Sequence, residues 1–168
     1  MNCFSGWFDS PYYHLLYKNR DSKEAELFID NLIFRLQIQK KSTILDVGCG
    51  KGRHSIYFNT KGMHVTGIDL SRNNITIAKE KENKTLQFKI WDMRDKFKKN
   101  TFDIVVNLFT SFGYFETDED EQKTINAMAL NLKKDGILII DFMNVKKAIK
   151  YLVAYEERKI DGIIFNIH

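Results

Sequence analysis

Residues 43–62 carry the pattern in this sequence with the clearest potential for chemistry. A short apolar run contains Asp46 and leads into three glycines at alternate positions, Gly48, Gly50 and Gly52. The run is typical of a β-strand, and the residues after Gly52 begin a helical pattern. Glycine is needed where the backbone takes a positive φ or a ligand touches the main chain, and a helix N-terminus offers unpaired N–H groups. The segment therefore predicts a strand, a loop that cradles a small molecule, and a helix.

Two familiar kinds of glycine loop do not fit this spacing. A phosphate-binding P-loop needs G-x-x-x-x-G-K-[ST], whereas Lys51 is followed by Gly52 and the position five before Gly50 is Leu45. The dinucleotide fingerprint G-x-G-x-x-G puts its third glycine at the position that Arg53 occupies. A nicotinamide oxidoreductase is therefore disfavoured.

The pattern that is present, Asp-x-Gly-x-Gly-x-Gly, resembles the first motif of the class I S-adenosylmethionine-dependent methyltransferases. In that family a strand ends in an acidic residue two positions before a G-x-G-x-G turn. The runs Gly-Arg-His-Ser and Asn-Leu-Phe-Thr-Ser-Phe-Gly-Tyr-Phe look most similar to bacterial small-molecule members. The resemblance implies S-adenosylmethionine as cofactor and S-adenosylhomocysteine as product. It also implies a first set of cofactor-binding residues: Asp46, Gly48, Cys49, Gly50, Gly52 and Arg53.

A second predicted strand ends on Asp69, which lies 69 − 50 = 19 residues after Gly50. A carboxylate at such a strand end can accept two hydrogen bonds from a ribose diol, as in dinucleotide-binding folds. The alternative is that Asp69 caps the next helix, a role for which Ser71 is better placed. We favour ribose binding, with Leu70 beside it, and expect Asp69 to have few partners in the empty protein.

Two further strand ends extend the candidate site. A third strand over 86–91 is followed by Asp92 and Met93, to which the resemblance assigns the adenine amino group and the adenine ring. The alternative is a turn acid and a core methionine. A fourth, near-continuous apolar strand over 102–109 is typical of a central parallel strand, and the resemblance places its Asn107 at the methionine end of the cofactor.

The loop after the fourth strand is rich in aromatic residues. Each of them could be a core residue, but next to a glycine in a loop at a strand end they favour an apolar pocket wall. The amino-methylating DNA enzymes carry Asp/Asn/Ser-Pro-Pro-aromatic here, and this chain has no proline after Pro11, so methylation of flipped bases is disfavoured. The aromatic residues of this loop are Phe109, Phe112, Tyr114 and Phe115.

Residues 1–40 are predicted to form an N-terminal helical segment. Pro11 suits the first turn of a short helix, which either packs on the domain or forms a lid over a ligand. The cofactor-binding set that the resemblance implies also includes Tyr17 and Arg20. In-line methyl transfer depends mainly on positioning, so no dedicated base is required. The candidates, should a base exist, are His14, Tyr13 and Tyr114.

The order of the predicted elements indicates an α/β fold. We expect a doubly wound, Rossmann-like, mostly parallel sheet with helices on both faces over residues 41–150. The family core normally adds a sixth and a seventh strand, so we expect the C-terminal strands of this sheet to be incomplete. The open edge of the fifth strand then favours a homodimer.

The C-terminal half allows more detailed expectations. A helix capped by Thr117 is expected to end at Gly136, with Lys133 and Lys134 in its last turn, before a buried fifth strand over 137–142. The acidic first turn of this helix is explained by the helix dipole, so no metal site is expected there. An Asp-Gly pair within residues 151–168 predicts a hairpin, or the start of a truncated insertion.

Composition narrows the function classes. The chain of 168 residues has 26 basic and 22 acidic residues spread along its length, which indicates a solvated surface and favours neither nucleic-acid nor membrane binding. Two cysteines make no disulfide framework, and no apolar run reaches the ~18 residues of a membrane span. We expect a cytoplasmic methyltransferase with a small-molecule acceptor, the alternative being a non-catalytic S-adenosylmethionine-binding module or an inactive fragment.

Overall fold

The computed structural model describes residues 10–16 and 22–167. The elements in this part of the chain are α1 (Pro11–Leu16), α2 (Ser22–Leu36), β1 (Thr43–Val47), α3 (Arg53–Thr60), β2 (His64–Asp69), α4 (Arg72–Lys79), β3 (Leu86–Ile90), β4 (Phe102–Asn107), α5 (Asp118–Asn131), β5 (Leu132–Ile140), α6 (Val145–Lys150), β6 (Glu156–Ile160) and β7 (Ile163–Ile167).

The main sheet has five strands in the order β3-β2-β1-β4-β5, and all four pairings are parallel. Because the strands are parallel, the carboxyl ends of β1, β2 and β4 lie at one edge of the sheet. The strand order reverses beside β1, and ligands bind at such a point in open α/β sheets. The register places Val47 beside Ile68 and Asp69 beside Ile90. The expected doubly wound, Rossmann-like fold is confirmed.

The core lies on both faces of this sheet. Successive residues of β1 and β4 enter two different apolar clusters, Ile44 and Ile104 on one side and Leu45 and Val105 on the other. The first cluster includes side chains from α2, α3 and α4, and the second includes Met128 of α5. This two-sided burial explains why β1 and β4 read as near-continuous apolar runs.

The join between α5 and β5 differs from the sequence-based expectation. The helix ends at Asn131, and Lys133 and Gly136 lie in β5 instead of in and after a last helical turn. Asn131 fixes this end because its side chain donates to Ala127 O and accepts from the N–H of Lys98. A register shift between Phe102 and Ile104 then admits the extra residues of β5 opposite β4.

The fifth strand is also an edge strand and not a buried one. Within the described residues it pairs with β4 alone, so one side of its backbone has no neighbouring strand and Ile137 is 39% exposed. The expected hairpin is present, since β6 and β7 pair antiparallel around Asp161 and Gly162, which both have positive φ. They form a separate two-stranded sheet.

Candidate functional site

The three glycines of the loop after β1 have different surroundings, although all have positive φ. A Cβ at Gly48 would lie 2.7 Å from Ser111 Cβ, and one at Gly52 would lie 2.6 Å from the Phe88 ring. A Cβ at Gly50 would meet no atom of residues 10–16 or 22–167 within 4 Å. Gly48 and Gly52 are therefore required by packing, whereas Gly50 borders open space. This loop can cradle the amino-acid and ribose portion of a cofactor such as S-adenosylmethionine.

Asp69, the last residue of β2, is tied directly to that space. One carboxylate oxygen accepts the backbone N–H of Gly50 at 2.8 Å, and the other accepts the N–H of Ser71 at 2.8 Å. The Ser71 hydroxyl, as expected, caps α4 by accepting the N–H of Asn74. These two backbone N–H groups use two of the about four acceptor sites of a carboxylate. Leu70 follows on the surface and is 58% exposed.

Asp46 lies behind the glycine loop and is buried. It accepts a hydrogen bond from the Ser55 hydroxyl of α3. Burial raises the pKa of its carboxyl to about 6, against the opposing effect of the Ser55 hydrogen bond, and the neighbouring charge of Asp69 adds to the rise. Cys49 is also buried, and burial raises the pKa of its thiol, so this cysteine stays protonated at neutral pH.

Asn107 ends β4 beside the first glycine. Its amide Nδ2 donates to the carbonyl of Val47 at 2.8 Å, and its Oδ1 is buried with no hydrogen-bond partner in the described part of the chain. The hydroxyl of Ser111 donates to the carbonyls of Gly48 and Leu108 at 3.3 and 3.0 Å. The loop after β4 is thus packed directly on the glycine loop.

Asp92 and Met93 follow β3 as predicted, but Asp92 already has a charged partner. Its carboxylate pairs with the guanidinium of Arg94 at 2.7 Å, and Arg94 also contacts Asp120 at 3.0 Å. Hydrogen bonding by Arg94 lowers the pKa of Asp92. Met93 is half-buried against the cluster under α5.

The aromatic loop after β4 starts with a strained turn. Phe109 and Thr110 both have a φ of 57°, a conformation that residues with side chains rarely adopt. The Arg53 guanidinium lies 4.0 Å from the centroid of the Phe109 ring. Farther along, the ring of Phe112 lies 6.5 Å from that of Phe142, which covers the face of Gly113. Phe112 also packs against the apolar cluster that contains Met128 of α5, so this loop contacts both the core and the start of α3.

His54 is a buried polar residue of this region that the sequence did not single out. Its ring centroid lies 5.0 Å from that of Phe109, and its Nε2 has no hydrogen-bond partner in the part of the chain that the structure describes. Burial, helped by the charge of Arg53, lowers the pKa of His54 to about 3, so the imidazole is neutral. The only signal in the sequence was the run Gly-Arg-His-Ser.

Of the three candidate bases, the structure describes the side chains of two. Tyr13 lies on α1 and Tyr114 in the loop after β4, and both are half-buried. The side chain of His14, and the whole of Tyr17 and Arg20, lie outside the described residues.

A small cavity of about 220 Å³ lies at the other end of the sheet. It adjoins the start of β1 and the bulged part of β5, so it is separate from the glycine loop. Its lining includes Leu36, Ser42, Asp103, Lys133, Asp135 and Ile137. Within residues 10–16 and 22–167, no group of three or more potential ligands could hold a metal ion. Over the same ranges, every helix is too short or too polar to cross a bilayer.

Comparisons with known proteins agree with this geometry. The sequence profile of the family described as a methyltransferase domain matches residues 38–165. The dTDP-3-amino-3,4,6-trideoxy-alpha-D-glucopyranose N,N-dimethyltransferase of Streptomyces venezuelae is 30% identical over 77% of this chain and 54% of its own length. The glycine/sarcosine N-methyltransferase of Aphanothece halophytica is 33% identical over 74% and 48%, respectively.

A solved S-adenosylmethionine-dependent methyltransferase from Clostridium acetobutylicum has the same fold. It superposes with a TM-score of 0.74 at 21% identity and covers 98% of this chain and 68% of its own. The chain spans about half the length of the curated relatives it matches. With the profile matched over most of its residues, the chain belongs to the methyltransferase-domain family, whose cofactor is S-adenosylmethionine.

Proposed function

We propose that this protein is a methyltransferase that binds S-adenosylmethionine over the glycine loop and methylates a small-molecule acceptor. The observation that carries the proposal is the open space at Gly50, bordered by Asp69 of β2 and lying beside the strand end at Asn107. When bound there, S-adenosylmethionine would supply a methyl group on a sulfonium sulfur: the acceptor's lone pair forms a bond to the methyl carbon, the carbon–sulfur bond breaks, and S-adenosylhomocysteine leaves with that electron pair. The positive φ of Gly50 favours glycine, and the absence of a Cβ also leaves the main chain there open to a ligand.

Each strand end has a proposed part in holding the cofactor. Asp69 accepts the ribose hydroxyls, with Leu70 against the adenosine, and Met93 offers an apolar face to the adenine ring. The carboxylate of Asp92 accepts a hydrogen bond from the adenine amino group while it stays paired with Arg94. The buried oxygen of Asn107 is an acceptor for the amino group at the methionine end, since it lacks a partner among the described residues. The remaining proposed contacts are Asp46, Gly48, Cys49, Gly52, Arg53, Tyr17 and Arg20.

The acceptor is proposed to lie against the aromatic loop after β4. Both relatives described above act on amino groups, as their names state, which makes small amines the first acceptor class to test. An amine nucleophile must lose a proton, and Tyr13, His14 and Tyr114 are the candidate acceptors of that proton. Residues 1–40 are proposed to close over the cleft as a lid, which would exclude water from the reacting atoms.

We also propose that the protein is cytoplasmic and assembles as a homodimer through the open edge of β5. The support for the dimer is that β5 has a neighbouring strand on one side only among residues 10–16 and 22–167, and that exposed apolar side chains follow it, such as Ile149 and Leu152 at 69% and 78%. Light scattering coupled to gel filtration measures this directly. A monomer at micromolar concentration would contradict the dimer.

Calorimetric titration with S-adenosylhomocysteine and with NAD tests the cofactor site. We expect saturable one-to-one binding of S-adenosylhomocysteine and none of NAD, and a preference for NAD would refute the proposal. Transfer of labelled methyl groups is then measured with amino sugars, glycine and sarcosine, with hydroxyl compounds of matched size as controls. Binding of the cofactor without transfer to any acceptor would support the alternative, a non-catalytic binding module.

A further inference from the structure

Asp141, the residue after β5, joins the two loops that follow β4 and β5. Its carboxylate Oδ2 accepts the backbone N–H of Phe109 at 3.0 Å. Its own N–H donates to the carbonyl of Asn107 at 2.9 Å, and its carbonyl accepts the N–H of Thr110 at 3.3 Å. Asp141 therefore forms hydrogen bonds with the last residue of β4, Asn107, and with both residues of the strained turn, Phe109 and Thr110.

The turn that Asp141 holds is unfavourable on its own. Phe109 and Thr110 are consecutive residues with side chains, and each has a φ of 57°. Such conformations persist only where the surrounding structure determines them, and they are concentrated at functional sites. Asp141 accepts the N–H of both turn residues, that of Phe109 at its carboxylate and that of Thr110 at its main-chain carbonyl, so its side chain supports the turn at Phe109.

The turn directs the Phe109 ring toward the start of α3. The ring lies under the Arg53 guanidinium at 4.0 Å and beside the His54 ring at 5.0 Å. Arg53 and His54 directly follow Gly52, the last glycine of the loop that borders the cofactor space. A contact chain therefore runs from Asp141 through Phe109 to Arg53 and the glycine loop.

We propose that Asp141 is a positioning residue for the cofactor site. It holds the Phe109 ring against Arg53 and thereby fixes the guanidinium at the end of the glycine loop before the ligand arrives. The inference rests on the proposed function, because it assigns Arg53 to the cofactor. A guanidinium that is held in place loses less conformational entropy on binding than a mobile one, so losing the support should weaken the affinity for the ligand.

The chain offers a matched control in Asp103 at the opposite end of β4. Its carboxylate also accepts a backbone N–H, that of Thr43 at 2.8 Å, and it pairs with Lys133 at 2.8 Å. Asp103→Ala removes two hydrogen bonds from Thr43 and the Lys133 ion pair far from the glycine loop, a larger set than the one side-chain hydrogen bond that Asp141→Ala removes, so it is a stringent control. It should lower thermal stability without affecting ligand affinity, which is the behaviour expected of a purely structural carboxylate.

The experiment is calorimetric titration of S-adenosylhomocysteine into the wild type and the folded variants, with thermal unfolding measured on each. We expect Asp141→Ala to weaken binding about five- to tenfold, a change of about 1–1.4 kcal/mol. Asp141→Asn should recover part of the loss, because its amide oxygen can still accept the Phe109 N–H. Asp103→Ala should bind as the wild type does.

The double variant Asp141→Ala/Arg53→Ala separates positioning from an independent effect. If Asp141 acts through Arg53, the double variant binds S-adenosylhomocysteine no more weakly than Arg53→Ala alone. Additive losses, or wild-type affinity in Asp141→Ala and Asp141→Asn, would overturn the inference while leaving the proposed function in place. A wild type that fails to bind S-adenosylhomocysteine would overturn both.

Discussion

The carboxylate of Asp69 accepts the backbone N–H of Gly50 at 2.8 Å. This hydrogen bond joins the end of β2 to the glycine at which a Cβ would meet no described atom within 4 Å. A second hydrogen bond from the N–H of Ser71 holds the other oxygen. The expectation that Asp69 has few partners in the empty protein was therefore wrong. Asp69 shapes the loop as well as offering acceptors to a ribose.

Asp69→Ala is expected to weaken the binding of S-adenosylhomocysteine by about 2–4 kcal/mol, or roughly thirty- to a thousandfold. The lost interactions are hydrogen bonds to a charged acceptor, partly replaced by water. The variant should also unfold at lower denaturant concentration, because two backbone N–H groups lose their acceptor at a cost of about 1–3 kcal/mol. Calorimetry and urea titration measure the two effects separately.

A 2′-deoxyribose analogue of S-adenosylhomocysteine distinguishes the two roles of Asp69. It should bind the wild type poorly and bind Asp69→Ala no more weakly than S-adenosylhomocysteine itself does. Normal binding of the analogue by the wild type, together with a large loss of stability in the variant, would mean that the carboxylate serves only the loop.

Gly50→Val should abolish detectable binding of S-adenosylhomocysteine in a protein that remains folded. Among the described residues, no atom lies within 4 Å of a Cβ at this position, so the new side chain would project into the space that we assign to the ligand. Its φ of 55° costs about 1–2 kcal/mol for a residue with a Cβ, which a folded domain can tolerate. Circular dichroism and calorimetry on the same sample check both statements.

Gly62 supplies the control for backbone strain. It also has positive φ, 96°, but lies in the turn after α3, where the nearest described atoms to a Cβ belong to the Lys40 side chain at 3.5–3.8 Å. Gly62→Val should lower stability and leave affinity unchanged. Equal losses of affinity in the two variants would show that strain, and not occupation of the cleft, accounts for the effect of Gly50→Val.

The sequence predicted those features that depend on local pattern. Near-continuous apolar runs identified β1 and β4, and the polar residues at the strand ends, Asp69 and Asn107, come to one edge because parallel strands share their direction. Ser71 and Thr117 were recognised as helix caps, since their side chains accept backbone N–H groups only three residues ahead. Short-range hydrogen bonding is encoded within a few residues.

The features that were missed depend on pairing between distant segments. Asp141 reaches the turn at Phe109 only because β5 runs beside β4 in one particular register. The same pairing draws Lys133 and Gly136 into β5, although their types fit a helix end. The burial of His54 depends on the packing of α3 against the loop after β4. Composition and periodicity do not contain this information.

His54→Phe should make the protein less sensitive to mild acid. Burial and the charge of Arg53 lower the pKa of His54 from 6.5 to about 3. Between pH 6.5 and 3 this histidine is therefore protonated in the unfolded chain and neutral in the folded protein. The contribution of His54 to the free energy of unfolding is therefore complete above pH 6.5 and is lost as the pH falls toward 3, a loss of up to about 5 kcal/mol. The free energy of unfolding of wild type minus variant should therefore decrease as the pH falls. A constant difference between pH 7 and 4 would contradict the burial of a neutral imidazole.

Asp46→Asn should have the opposite pH dependence. Burial raises the pKa of Asp46 from 3.8 to about 6, so the folded protein binds this proton more tightly than the unfolded chain does. Its stabilising contribution is complete below about pH 3.8 and is lost as the pH rises to about 6, a change of about 2 pKa units or roughly 3 kcal/mol. Asparagine has no proton to lose and can still accept the Ser55 hydroxyl. The free energy of unfolding of wild type minus Asp46→Asn should therefore fall between pH 4 and 6 and be constant above pH 7.

The variant Ser55→Ala tests independently whether Asp46 causes this pH dependence of the free energy of unfolding. The Ser55 hydroxyl donates to the Asp46 carboxyl and holds its pKa below the value that burial alone would give. Removing it should move the fall in stability to higher pH, because an ionised carboxylate without its donor is less favourable in a buried site. Urea titrations at half-unit steps of pH resolve this displacement. A pH dependence that is the same in Ser55→Ala and in the wild type would show that Asp46 does not titrate in this range.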